Sequence, residues 1–399
     1  MLNCLALCSS VPGAVRVTGL PNLLAATLLF FTSVSATSSV ISRYTRDIGA
    51  SVAASGQVYA LTPLVAALLR IPVGIAADRG NAKRFLVAGG FAATAAGIAA
   101  AFAYTVPMVA LVRVLQGLAL AFFVAPSIAA AAALGGEAFT RAISMRAVMV
   151  TAALIVGPLA AGFIVDWLGY WAVFIFTAIT GFAAAVIATS IPLRQARIDR
   201  LHKGPGLRDA LTLGVLLAIA LAVVDGMVFF SVQSLPQMQL RDLGYRASVF
   251  GLFQSLTAAS GLVARGLSSH VYTRLGPRRM LALGFALEAI GLSLLAEYPV
   301  PPLLYLAGIL YGFGSGTSIP GEQMLASMSA PRSAGNRAAS LYTLGFDVGG
   351  TIGLFVLSEI ANSMGYSPAY SIAALAAVAA GTLALLVAGR ATRRQEARL

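Results

Sequence analysis

The spacing of its apolar runs leaves this chain little freedom. About twelve stretches of roughly 20 mostly apolar residues, the length that crosses a bilayer as a helix, follow one another between charges or Pro, Gly and Asn. They cover 19–41, 52–77, 84–105, 107–134, 141–165, 170–193, 209–236, 247–271, 279–297, 301–329, 337–362 and 367–391. Only 10% of the 399 residues are charged, and mean hydropathy is +0.87, against about a quarter charged in a soluble domain. The expectation is an all-α polytopic membrane protein.

A net charge of +13 raises nucleic acid as a partner, but the placement of the charges argues otherwise. Twenty of the 27 basic residues fall in loops on one side of the alternating spans, and four (Arg43, Arg46, Arg241 and Arg246) on the other. This is the positive-inside bias, which places both termini in the cytoplasm and leaves no basicity to assign to nucleic acid. Cys4 and Cys8 lack a His or carboxylate companion, so no metal site is expected. A cytoplasmic terminus also argues against a disulfide. Residues 1–18 lack a charged start followed by an apolar run, so the first span reads as an uncleaved anchor in the cell membrane.

The longest polar interruption, "LRQARIDRLHKGPGLRD" at 193–209, divides the spans six and six. The expected organisation is a cytoplasmic N-terminus (1–18), a six-helix bundle (19–193), a linker (194–208), a second six-helix bundle (209–391) and a tail (392–399). The halves echo each other. "RIPVGIAADRGNAKR" at 70–84 answers "RGLSSHVYTRLGPRR" at 265–279, every basic residue recurring 195 positions later. "TRAISM" at 140–145 answers "NRAASL" at 336–341, "LGYWAVF" at 168–174 answers "MGYSPAY" at 364–370, and Pro126 answers Pro320. Four echoes in one order indicate parallel structural repeats.

Three motifs give the chain a family resemblance. Gly74, Asp78, Arg79 and Lys83 fit a Gly-x3-Asp-Arg-x-Gly-Arg-Arg/Lys loop, with Arg84 following and Asn81 and Ala82 departing from it. The second copy keeps Arg274, Gly276, Arg278 and Arg279 but has Ser269 and Thr273 in place of Gly and Asp. Arg113, Gln116 and Gly117 form Arg-x-x-Gln-Gly, and Gly157, Pro158 and Gly162 follow Gly-Pro-x-x-Gly-Gly, with Ala161 at one glycine. Over essentially its whole length the chain resembles the major facilitator superfamily, and in particular its bacterial proton-antiporter efflux branch. That resemblance implies twelve transmembrane helices as two six-helix bundles, alternating access and export. It also implies a cytoplasmic latch in which Asp78 meets the start of the eleventh span near Arg337. A carboxylate there can bond the free N–H groups of a helix start.

Charges inside spans are rare without a role or a partner. Asp225, Asp347 and Glu322 are the candidates for carrying a proton, with Arg113 as a candidate carboxylate partner, anion binder or proton-displacing cation. Glu288 stands apart because the ninth span is expected to face lipid or scaffold. Asn22, Tyr59, Phe122, Phe229, Phe230, Gln233, Gln254, Tyr311 and Tyr342 are expected near a cavity. Such aromatic walls with neutral polar groups suit an amphipathic ligand.

The reading is a monomeric, proton-coupled exporter of small amphipathic compounds with no cofactor and no metal. Its rivals are an importer of a sugar or organic acid and a non-transporting sensor. His202 and His270 are the only histidines and no Ser/His/Asp grouping is evident, which argues against an enzyme. No Gly-x4-Gly-Lys-Ser/Thr loop occurs, which argues against an ATP-driven pump.

Overall fold

The structure, a computed structural model, describes residues 19–76, 81–135, 138–193, 211–330 and 335–396. In lipid each backbone N–H and C=O must bond within its own segment, and the apolar runs do so as helices. These are α1 Leu20–Asp47, α2 Val52–Ala76, α3 Ala82–Ala101, α4 Val106–Gly135, α5 Phe139–Leu168, α6 Tyr170–Thr189 and α7 Leu213–Asp242. Ala247–Glu297 runs on until Gly276, whose φ of 73° and ψ of 169° break it ahead of Pro277. The two limbs are α8 (247–275) and α9 (277–297). Then follow α10 Leu303–Ser329, α11 Gly335–Met364 and α12 Tyr366–Glu396.

Among the described residues ten of these helices, with Ala247–Glu297 counted once, are long and apolar enough to span a membrane. Helix α10 is long enough, but its Gly, Ser and Thr residues dilute its apolarity. Helices α1 and α7 outrun the expected ends at 41 and 236 by about two turns, because polar residues continue each helix beyond the apolar run. The expected linker 194–208, the N-terminal segment 1–18 with its cysteines and residues 397–399 lie outside the described residues, while α12 continues into the expected tail as far as Glu396.

Helices α1–α6 form one half and α7–α12 the other. The halves meet chiefly where α1 faces α7, α2 faces α11 and α5 faces α8. The face where α1 begins is called the terminal face below, and the opposite one the far face. Phe30 of α1 stacks on Phe123 of α4 at 3.9 Å in the first half. The main core of the second half includes Phe253, Phe285 and Tyr311.

Glycines set the closest approach in the second half, where α7 lies backbone-to-backbone on α11. A Cβ on Gly226 would overlap the Phe346 carbonyl, and one on Gly349 the Val223 carbonyl. Asp225, the neighbour of Gly226, is completely out of solvent. Gly226→Ala is therefore expected to destabilise the fold by about 1–3 kcal/mol, as overpacking does. Thermal unfolding in detergent checks this. An unchanged midpoint would mean that α7 and α11 separate freely.

Candidate functional site

Three carboxyl groups meet inside the second half. Asp225 (α7), Glu288 (α9) and Glu322 (α10) are each 0% exposed. Ser318 Oγ lies 2.9 Å from Asp225 Oδ2 and 2.6 Å from Glu288 Oε1. Asp225 Oδ1, Glu288 Oε2 and the Tyr311 hydroxyl make no hydrogen bond, and Glu322 and Tyr342 face each other beside them. Glu288 thus faces inward, correcting the expectation that it faces lipid or scaffold.

Packing explains that orientation. Gly284 and Glu288 lie one turn apart on α9, as Gly314 and Ser318 do on α10. A Cβ on Gly284 would stand 2.8 Å from the Ser318 nitrogen, and one on Gly314 2.7 Å from Glu288 Cγ. Small residues at these two points let the helices close until Glu288 reaches Ser318.

Beside this cluster a cavity of about 50 Å³ opens between α5, α7, α8 and α10. Phe229, Gln233, Phe253, Gln254, Arg265 and Tyr311 line it together with Thr151 and Ser315. Other expected lining residues sit elsewhere. Phe230 packs on Phe346 of α11 at 5.8 Å between ring centres. Phe122 pairs with Phe85 of α3 at 5.6 Å. Asn22, at the terminal end of α1, donates to Ser190 Oγ at 2.9 Å. Tyr342 is buried in the core of the second half.

In the first half Arg113 is 1% exposed, which excludes snorkelling. It donates to Gln116 Oε1 at 2.6 Å, to the Tyr59 carbonyl at 3.0 Å and to Ser38 Oγ at 3.2 Å. Its guanidinium lies 4.0 Å over the Tyr59 ring. Neutral groups therefore hold Arg113, in place of the expected carboxylate or anion, and Tyr59 belongs to this shell. Gly117 is required because a Cβ there would stand 2.6 Å from Val65 of α2. Arg146, counted with the loops from sequence, is buried and donates to Ser127 Oγ at 2.8 Å.

Polar bonds between the halves concentrate on the far face. Arg46-Asp47-Ile48-Gly49 ends α1, and Arg241-Asp242-Leu243-Gly244 repeats it 195 residues later at the end of α7. The two copies cross-pair. Arg46 Nη2 lies 3.2 Å from Asp242 Oδ1, and Arg241 Nε 2.7 Å from Asp47 Oδ1. Tyr170 donates to Asp47 at 2.5 Å and Tyr366 to Asp242 at 2.6 Å. These tyrosines are themselves the repeated pair of the "LGY" and "MGY" segments. Gln237 Nε2 donates to the Ser38 carbonyl at 2.7 Å, and its Oε1 accepts from the Ser42 N–H at 3.1 Å.

The glycine-proline motif lies in the same interface. A Cβ on Gly162 would stand 2.8 Å from Ser248 Cα, and Gly251 approaches the Pro158 carbonyl. Gly157 faces Ser35 of α1. One turn beyond Gly162, Asp166 accepts the free N–H groups of Ala247 and Ser248 at 2.8 and 3.0 Å, capping the start of α8 across the interface.

Deeper in, Arg70 Nη2 pairs with Asp347 Oδ2 across the halves at 2.5 Å. Asp347, expected as a proton carrier, thus has a cation as its partner. Asp78 and Arg79 of the expected latch lie outside the described residues, as does the Arg337 side chain. Gly74 is half-buried at the end of α2. Lys83 and Arg84 open α3 and line a separate surface groove with Phe91 and Leu193. Among the described residues no group of three or more His, Cys, Asp or Glu side chains is arranged to hold a metal ion.

The comparisons with known proteins agree with this architecture. The family model of the Major Facilitator Superfamily matches residues 23–272 and again 215–398. The multi-drug resistance efflux pump PmrA of Streptococcus pneumoniae is 25% identical over 320 residues, covering 78% of this chain and 80% of PmrA. A crystal structure of a mutant of peptide transporter POT in complex with sulfate superposes with a TM-score of 0.80 at 15% identity, covering 98% of each chain. The nucleoside transporter NupG superposes with a TM-score of 0.74 at 14% identity, covering 91% of this chain and 99% of its own. At such identities these structures speak for the fold alone. From the family match and the helical architecture together, the chain is a multi-pass membrane transporter belonging to the Major Facilitator Superfamily.

Proposed function

We propose that this transporter exports small amphipathic organic compounds across the cell membrane in exchange for protons, as a monomer with both termini in the cytoplasm. The observation that carries the reading is the buried Asp225–Glu288–Glu322 cluster beside a cavity walled by Phe229, Phe253 and Tyr311. A charged, unpaired carboxylate at the centre of a span costs on the order of 3 kcal/mol on insertion scales. Binding a proton removes that cost, so the cluster responds to protons and to a cation entering the cavity. Similarity to a multi-drug resistance efflux pump supports export. Both terminal nitrogens of Arg113 already bond neutral partners, which disfavours the rival uptake of an organic acid held by this residue.

In the proposed cycle the far face is cytoplasm-distal, and the halves rock about the central cavity. The cross-paired Arg-Asp repeats hold the far face shut while the terminal side receives substrate. Opening the far face breaks them, and Asp78 with the start of α11 near Arg337 then latches the terminal side. Asp225 takes up its proton from the far side as substrate leaves, and the proton reaches the cytoplasm on the return.

Inside-out vesicles with an acid-inside gradient test the reading against a panel of lipophilic cations and neutral drugs. Accumulation that collapses with the gradient is the expected result. Uptake of sugars or organic acids in the opposite orientation, with no export of any panel member, would overturn it.

A further inference from the structure

Ser318 stands within hydrogen-bonding distance of two carboxyl groups, yet a hydroxyl has one proton to donate. It donates to one of them. The other contact is a hydrogen bond only when that carboxyl carries a proton and donates it to the Ser318 oxygen. The geometry therefore calls for a proton on the Asp225–Glu288 pair. Both side chains are fully buried, and each keeps a second oxygen without a partner.

We propose that Asp225, Ser318 and Glu288 form a proton relay, in which Glu288 stores the proton that Asp225 receives. The inference rests on the proton-coupled reading above. In the step, the Asp225 O–H bond breaks and its proton joins the Ser318 oxygen. The original Ser318 O–H bond breaks at the same time, and that proton completes the Glu288 carboxylic acid. The pair keeps one negative charge throughout, and the hydroxyl is regenerated. Ser318 is thus a positioning residue and Glu288 a further proton-binding group.

The surroundings suit this direction. Arg265 of α8 lines the cavity and exerts its positive field on Asp225. Glu288 lies behind, on α9, and no cavity-lining residue comes from that helix. Tyr311 and Glu322 of α10 and Tyr342 of α11 are the other ionisable groups facing the pair. A proton held on Glu288 leaves Asp225 charged opposite Arg265, or opposite a cationic substrate that displaces Arg265, without releasing the proton to water.

The test is infrared difference spectroscopy of the purified, full-length protein across a pH titration, which needs no substrate. The wild type is expected to show a protonated-carboxyl band that Asp225→Asn, Glu288→Gln and Ser318→Ala each displace. Ser318→Thr, which keeps the hydroxyl, is expected to return it. In the vesicle assay with tetraphenylphosphonium as probe, Ser318→Ala is expected to lower gradient-driven accumulation about tenfold or more, with Ser318→Thr restoring most of it. A band that responds to Asp225→Asn alone, or no such band in the wild type, overturns the relay. If the wild type shows no gradient dependence with any compound, the proton-coupled reading fails. The infrared result then still decides whether the two carboxyls share a proton.

Discussion

Asp225→Asn is expected to abolish gradient-driven accumulation, a loss of about 100-fold or more, the scale at which a positioned proton-transfer group contributes. The substitution is close to isosteric and stays neutral. Asn Oδ1 can still accept from Ser318, and the Gly226 contact with α11 is untouched, so the fold should survive. What disappears is the change of charge between the two sides of the membrane. Exchange of labelled for unlabelled substrate at equal pH on both sides needs no such change and is expected to persist. The measurement is the ratio of these two rates in the same vesicles. A variant that loses both has lost binding or folding, and one that keeps both shows that the proton travels elsewhere.

Depth in the membrane was legible from sequence, and azimuth around each helix was not. Apolar run length and loop charge locate a residue along a span. Whether it faces cavity, neighbour or lipid depends on helix rotation, which only packing sets. Asn22 and Phe122 lie on spans expected near the cavity, yet Asn22 bonds Ser190 just past α6 and Phe122 packs on Phe85 of α3. Glu288 was set aside for the opposite reason, and the glycines that turn it inward act through contacts no single-helix pattern contains. The far-face pairs were missed although their signal was present. Arg46-Asp47-x-Gly49 recurs as Arg241-Asp242-x-Gly244 at the offset that relates Arg70 to Arg265. Duplication told where the halves correspond, but that corresponding residues bond to each other needs the two-fold arrangement of the helices. The same limit applies to Arg70, whose partner Asp347 lies on α11 in the other half.

That crossed pairing leads to the second large effect. Arg241 bonds Asp47 across the interface and Asp242 on its own helix at 2.7 and 3.0 Å. Arg241→Glu removes both bonds and sets a third carboxylate between the two aspartates. The side chains involved are about a quarter to a third exposed, so each pair counts toward the low end, about 0.5–1 kcal/mol. Only the Asp47 pair differs between the closed and open far face, so losing one attraction and gaining one repulsion amounts to about 1–2 kcal/mol against the closed state, or roughly a 5- to 30-fold shift in population. Spin labels on cysteines placed at Ile48 and Leu243 read this as growth of a longer distance between α1 and α7. Adding Asp47→Arg to the reversed variant restores the cross-pair but removes the acceptor of Tyr170, so recovery should be partial. Full recovery would assign the whole effect to the interhelical pair. If the reversal leaves the distances unchanged, the closed far face rests instead on the Asp166 cap of α8, on Gln237 and on the Gly162 contact. The glycine-proline motif, rather than the duplicated Arg-Asp pair, would then govern its opening.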